Sequence, residues 1–571
     1  MARRLLCYDM RVKTLYEPSE TIADIKKKWL VVGLGLMVCG YGTVLADEAV
    51  GQALRERVER LRETGQLTVD GVSLAAIGLI PEIYERRGFE AAWTRQKQID
   101  ALVQAVEDSY AQGLDPADYH IDQIRSAAKS IASGERIAAT RRADIDLLLT
   151  DALARLGYHL RFGKVNPEEL DPDWNFNREL AGKDPSTVIQ EAIDSDSLTT
   201  FIDRVLPRGF FYHRLKTALA QYRGIQAAGG WPTVVDGPAL KVGMTDDRVS
   251  TLAKRLQASG DLDESFAPAD ARLFGETVDQ AVKRFQYRHG LSADGVVGAG
   301  TLAALNVPVE ARVEQIRINL ERARWVFDDI EDEFIFVNIA EFRVFLVRNR
   351  EYVWTARAQV GKPYRKTPVF KSTLKYVVFN PTWTVPPGIL AKDIMPRAKR
   401  DPGYLQTKNI DIRDNNGAIV DPKSIDWEAV SARSFPYKLV QRPGPTNALG
   451  QVKFIFPNKY FVFLHDTPSK ALFERPDRAF SSGCIRVQSP LDLAAVLLES
   501  KGWNREKVDA VIASQKTETV FLAEPMTVML LYLTVTVDGD GTIRFEKDIY
   551  GRDQRIGDGL KAPFRVSPPR S

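Results

Sequence analysis

One change of rhythm divides this chain. Up to about residue 332 apolar side chains recur every three or four positions, whereas from residue 333 they alternate, as in "FIFVNIAEFRVFLV" at 334–347. The first period is that of a helix with one buried face, and the second is that of a strand. Alternation returns in "TLKYVVFN", "KYFVFLH" and "MTVMLLYLTVTV", and "DGDG" at 538–541 marks a hairpin into "IRFEKDIY". One core cannot serve both patterns, and 571 residues exceed what a single core supports. The expected fold class is therefore a multidomain α+β chain, helical first and mostly β afterwards.

Within residues 47–235, "QIDALVQAVEDSYAQGL" sets Ile99, Leu102, Ala105 and Val106 on one face before Gly113, and "RADIDLLLTDALARLGYHLRFGK" repeats the pattern up to Gly163. Residues 240–306 read as a compact unit of three short helices, with Val249, Leu252 and Leu256 in the first and Val278, Val282 and Phe285 in the second. A connecting helix follows at 307–332, and the β domain spans 333–550. Inside it, residues 388–436 carry few strand signals and many charges and prolines, which suggests an inserted flap or lid. The Arg-, Pro- and Gly-rich residues 551–571 are expected to be disordered.

Charge excludes one class of partner. Residues 1–46 hold seven basic and four acidic residues, and the remainder balances at 71 of each sign. No field of one sign is left to hold a polyanion, so no nucleic acid is expected. Lys26, Lys27 and Lys28 precede the apolar run "WLVVGLGLMVCGYGTVLA" at 29–46, which reads as an export signal with small residues before Asp47. Cleavage is the favoured reading, giving a periplasmic protein. An inner-membrane anchor through residues 29–46 is the alternative.

If that segment is removed, Cys484 is the one thiol left of three, and an exported protein with an unpaired thiol calls for a chemical reason. Cys484 follows Ser481, Ser482 and Gly483, and the "SPLD" after it looks like a helix start with Ser489 as cap, Pro490 at the first helical position and Asp492 reaching back. The positive end of that helix would favour thiolate. A thiolate nucleophile needs a base, and His465 is the one histidine of the β domain, at the end of "KYFVFLH". Metal is not expected as a cofactor, because one histidine and one cysteine cannot furnish a zinc set and no HExxH occurs.

The run "HDTPSKALFERPDRAFSSGCIRV" resembles the catalytic motif of YkuD-type L,D-transpeptidases, and "GKPYRKTPVF", "FNPTWTVPPGIL" and "PGPTNALGQVKF" extend the similarity upstream. "VKRFQYRHGLSADGVVGAGTLAALN" resembles a small peptidoglycan-binding domain, and the helical N-terminal part is similar to the scaffold domain of the large Gram-negative members. Many family members have His where this chain has Ser482, and Gly or Ser where it has Asp466.

The resemblance implies a transferase acting on peptidoglycan stem peptides and glycan. Cys484 would be the nucleophile and His465 the base, releasing D-Ala and forming 3-3 crosslinks. Asp466 would orient the imidazole through its carboxylate or its backbone carbonyl. Backbone N–H groups of Gly483 and Cys484 would form the oxyanion hole. Ser482 and Arg486 would face substrate, with Arg486 either pairing a carboxylate or bracing the loop. Trp383 would either wall the cleft or anchor a core. The same acyl-enzyme would serve an L,D-carboxypeptidase or a lipoprotein-attaching enzyme, and an inert wall-binding protein is the non-catalytic alternative.

Overall fold

The computed structural model describes residues 47–171, 174–176, 182–326, 331–401 and 403–564. The segment expected to act as an export signal, 1–46, lies outside them, as do the last seven residues of the tail. Among the described residues no helix is long and apolar enough to cross a membrane.

The chain divides into two compact units. Among the described residues the first takes 47–103, 120–154 and 183–198, and the second takes the others. The helical region expected at 47–235 is thus shared between them. In the first unit two buried carboxylates replace water as hydrogen-bond partners. Asp146 accepts from Tyr84 Oη at 2.7 Å and from the backbone N–H of Ala92 at 2.8 Å. Asp151 accepts the N–H groups of Ala75 and Ala76, both at 2.7 Å. Without such partners buried peptide groups would cost about 1–3 kcal/mol each.

In the second unit, helix Val309–Val326 packs on helix Phe210–Ala227. The small domain has helices Arg248–Ala258, Glu276–Arg288 and Ala299–Leu305 around Leu252, Phe274 and Phe285. Its "FQYRHGLSADG" run has a physical reason. Gln286 Nε2 donates to Asp294 Oδ1 and the Val296 carbonyl, both at 2.9 Å, and Gln286 Oε1 accepts Gly295 N–H, so one side chain ties the loop to the helix.

The β domain is built on one nine-stranded sheet: β1 Glu333–Asn338, β2 Arg343–Arg348, β3 Glu351–Gly361, β4 Phe370–Phe379, β5 Val452–Ile455, β6 Leu464–His465, β7 Ala479–Ser481, β8 Ile485–Val487 and β9 Glu518–Leu531. Their order is β7-β3-β8-β6-β5-β4-β9-β1-β2, and β2 also pairs with β3, so the ladder returns on itself. The hairpin expected at "DGDG" is present, with Val535–Val537 antiparallel to Ile543–Phe545. "KYFVFLH" contributes only its last two residues as strand.

Two expectations need correction. The insert, read as having few strand signals, does contain strands. Short strands Trp383–Thr384, Ile410–Arg413, Ile419–Val420 and Lys438–Gln441 form a separate sheet. With the flanking helical turns they enclose a core of their own, including Leu390, Ile394, Leu405, Ile412 and Trp427. The tail expected to be disordered from 551 instead forms helix Asp553–Lys561, because Ile556 and Leu560, one turn apart, are buried.

Candidate active site

Strand register sets out the site. Lys453 on β5 pairs with His465 on β6, His465 with Arg486 on β8, and Arg486 with Gln359 on β3. Registered neighbours point to the same face, so these four side chains form one row across four strands. Cys484, two residues before Arg486, shares that face. The alternate residues Val452, Phe454, Leu464, Ile485 and Val487 are buried in the core, so the row looks away from it.

His465 is held by its neighbour's backbone. Its Nδ1 lies 2.5 Å from the Asp466 carbonyl oxygen. A neutral imidazole donating from Nδ1 has Nε2 as its proton-accepting nitrogen, and the Leu449 backbone also hydrogen-bonds the ring. The Asp466 carboxylate does not do the orienting, because it accepts Gln451 N–H at 2.9 Å and pairs with Lys470. Burial first, then the charge of Arg486, lowers the imidazole pKa to about 3.

The thiol also rests neutral. Cys484 is half-buried, and desolvation raises its pKa above the usual thiol value although Phe463, Lys453 and Arg486 act the other way. Its Sγ faces the Phe461 carbonyl at 3.7 Å, and no Cys484–His465 hydrogen bond occurs among the described contacts. Catalytic hydrogen bonds in unliganded enzymes are often long and tighten with substrate. The expected help from a helix start is absent. Strand β8 separates Cys484 from helix Pro490–Leu498, Ser489 makes no capping bond, and Asp492 pairs with Arg505.

The turn before Cys484 is fixed by its own side chains. Ser481 Oγ donates to the Cys484 carbonyl at 2.6 Å and accepts Gly483 N–H at 3.0 Å. Gly483 is therefore not the free oxyanion donor expected of it. The Cys484 N–H has no partner among the described contacts and remains available. Gly483 has φ of +122°, a conformation almost closed to other residues. Thr367 Oγ1 donates to the Gly483 carbonyl at 2.8 Å, and the Thr367 N–H donates to Tyr550 Oη at 3.1 Å.

Ser482 faces Arg365 rather than Cys484's base. Arg365 Nη1 donates to Ser482 Oγ at 2.7 Å and to Asp393 Oδ2 of the insert at 2.8 Å. Trp383 is paired with Gln441 and packs on the insert's core, so among the described contacts nothing brings it to Cys484. Arg486 Nη1 donates to Gln359 Oε1 at 3.2 Å, while its Nε is buried without a partner. Lys453, Arg365, Thr367 and Ser481 were missed by sequence reasoning. Only their presence in the family-like runs "GKPYRKTPVF", "PGPTNALGQVKF" and "SSGC" signalled them. Among the described residues no three His, Cys, Asp or Glu side chains gather as metal ligands would.

A closed β ladder presents a thiol and a backbone-held imidazole on one face. Among known families, residues 332–512 match the L,D-transpeptidase catalytic domain, YkuD. Residues 245–305 match the family described as "Putative peptidoglycan binding domain", and residues 78–219 match the scaffold domain. The chain thus carries a YkuD L,D-transpeptidase catalytic domain behind a peptidoglycan-binding domain and a helical scaffold domain. A Haemophilus influenzae protein named "Putative L,D-transpeptidase" is 39% identical over 243 residues, 43% of this chain. The chain spans about half the length of that curated relative, 49%. Two solved structures overlap weakly. An L,D-transpeptidase from Xylanimonas cellulosilytica is 15% identical at a TM-score of 0.16, covering 52% of this chain and 100% of its own. A fused amidase and peptidoglycan-binding protein from Clostridium acetobutylicum is 13% identical at 0.14, with the same coverages.

Proposed function

We propose that this protein is a peptidoglycan L,D-transpeptidase that acts beyond the inner membrane, using Cys484 as nucleophile to form 3-3 crosslinks. The observation that supports this most is the row of strand neighbours that sets Cys484 and His465 on one face of a YkuD domain. As a donor stem docks, the Cys484 thiol passes its proton to His465 Nε2 while sulfur bonds to the acyl carbonyl carbon at the L-centre of the diamino acid. The Cys484 N–H, without a partner among the described contacts, would donate to the developing oxyanion. The C–N bond to D-Ala then breaks, the imidazolium protonates the leaving amine, and a thioester remains. An amine of a second stem attacks the thioester and gives its proton to His465. The C–S bond breaks as the new amide forms, and the imidazolium returns its proton to the Cys484 sulfur, restoring the thiol.

The insert serves as a lid. Through Asp393 and Arg365 it is tied to Ser482, within the turn that carries Cys484, and a covered thioester waits for an amine rather than water. The test is intact mass and product analysis with a disaccharide-tetrapeptide. A Cys484-linked acyl adduct and crosslinked dimers are expected. Absence of any adduct on Cys484, or equal crosslinking by Cys484→Ala, sinks the proposal. Tripeptide alone would make the enzyme a carboxypeptidase.

A further inference from the structure

Lys453 stands in the same row as His465 and Arg486, and beyond the pull of its charge on the Cys484 thiol no step above uses it. Its register partner His465 separates it from Arg486 by one strand on each side, about 10 Å between the two cations' strands. Both side chains are half-buried. Among the described residues no carboxylate pairs with either. The described contact of Lys453 Nζ is the Phe463 ring, 3.9 Å from its centroid. Arg486 has only the neutral amide of Gln359, with its Nε unpartnered. The nearest carboxylate in sequence, that of Asp466, is turned to Gln451 and Lys470. Burial lowers the pKa of both cations, with the Cys484 sulfur the one charge acting in the opposite direction.

Two desolvated cations without a counter-ion are a standing cost, and buried charges are ordinarily paired. Such a pair beside a nucleophile is balanced when an anion arrives with the ligand. We infer that Lys453 and Arg486 together form a subsite for a free carboxylate on the acyl donor, close to the carbonyl that Cys484 attacks. This rests on the acyl-transfer reading above and assigns recognition of the donor's carboxylate to Lys453 acting with Arg486. The ammonium, on a flexible stem over an aromatic ring, supplies the charge; the guanidinium, braced by Gln359, supplies a directed donor. A role limited to stabilising the thiolate or the oxyanion would treat charged and uncharged donors alike, and that difference is what the test reads.

The experiment uses the full chain and two synthetic peptide donors that differ only in a free carboxylate or a carboxamide beside the transferred acyl group. Acylation of Cys484 is followed by intact mass, and protection of Cys484 from iodoacetamide by each peptide is measured in parallel. The wild type is expected to favour the carboxylate donor about tenfold or more in kcat/KM, as a charge-assisted contact provides. Lys453→Met should bring that ratio close to one, and Lys453→Arg should keep part of it. No preference in the wild type overturns the proposal, even if the variants fail to fold. An equal loss on both donors in Lys453→Met overturns it too, assigning Lys453 to the thiol alone. If no thioester forms with either donor, the acyl-transfer reading fails. The protection ratio then judges the subsite: stronger protection by the carboxylate peptide supports it, and equal protection overturns it.

Discussion

Lowering the pH should load His465 with a proton only at the expense of the fold. The imidazole titrates at 6.5 when unconstrained and at about 3 here, so between those values the unfolded chain binds one proton more than the native chain at this position. Stability must then fall as pH falls, with no penalty above about 6.5 and a full one below about 3. At about 1.36 kcal/mol per pH unit the full penalty approaches about 5 kcal/mol, a large share of a domain's net stability. His465→Gln keeps a neutral polar side chain in place and removes the titration. Its acid-unfolding midpoint should lie below that of the wild type by a few tenths of a pH unit or more. The difference between the two proteins is the informative quantity, because His159 and His289 are also buried with lowered pKa and add their own acid sensitivity to both. Tryptophan fluorescence against pH, with urea titrations at about pH 4, 5 and 7, gives the stability difference directly. A wild type and variant whose difference stays constant from about pH 7 to 4 would show that the imidazole is not held neutral, and the reasoning from burial would be wrong.

Other expectations follow from the same geometry. Because the Cys484 thiol rests neutral, its alkylation by iodoacetamide should rise nearly tenfold per pH unit up to about pH 9; a rate already flat at about pH 6 would reveal a thiolate–imidazolium pair instead. Gly483→Ala should lose about 1–3 kcal/mol in urea unfolding and nearly all transpeptidation, since φ of +122° excludes a side chain; a fully active variant would refute the turn's role. Asp466→Asn should lower stability, yet retain much of kcat, because a carbonyl and not the carboxylate holds His465; a drop in kcat of a thousandfold at normal folding would reverse that assignment. Arg365→Met should raise the ratio of hydrolysed tripeptide to crosslinked dimer by severing Asp393 from Ser482; an unchanged ratio in the chromatographic profile would leave the insert without a lid function.

Local signals carried far in this sequence, and non-local ones did not. Helix ends were legible because a glycine announces them. At Gly163, with φ of +81°, an added Cβ would come within 2.6 Å of Glu321 Oε1, so nothing larger fits. Cys484 and His465 were legible as residue types at strand and loop ends. Their mutual placement was not, because β6 and β8 pair in parallel across an intervening loop and no sequence period records which strands meet. Lys453 escaped for the same reason: its alternation with Val452 and Phe454 shows a face, but not that His465 shares it. The insert's core hid in two ways. Leu390, Ile394 and Ala398 repeat every four residues along one helical run at 387–400 that charges and prolines masked. Leu405, Ile412 and Trp427 come from elements of five residues or fewer and the loops between them, too short to build a period. The helix start after Cys484 looked like a source of thiolate, and the three residues of β8 between them removed the effect.

The way the insert leaves and rejoins the barrel has an evolutionary consequence. Trp383 and Gln441, at its entry and exit, face each other as antiparallel partners, so the chain departs and returns through nearly the same point. A segment with its own core and coincident ends is a cartridge: it can be lengthened, shortened or exchanged while the ladder that aligns Lys453, His465 and Arg486 keeps its register. If Cys484 is the nucleophile and the insert its lid, as proposed, selection for a new acceptor can work on the insert without touching that row, and two enzymes with the same turn can diverge in product through the cartridge alone.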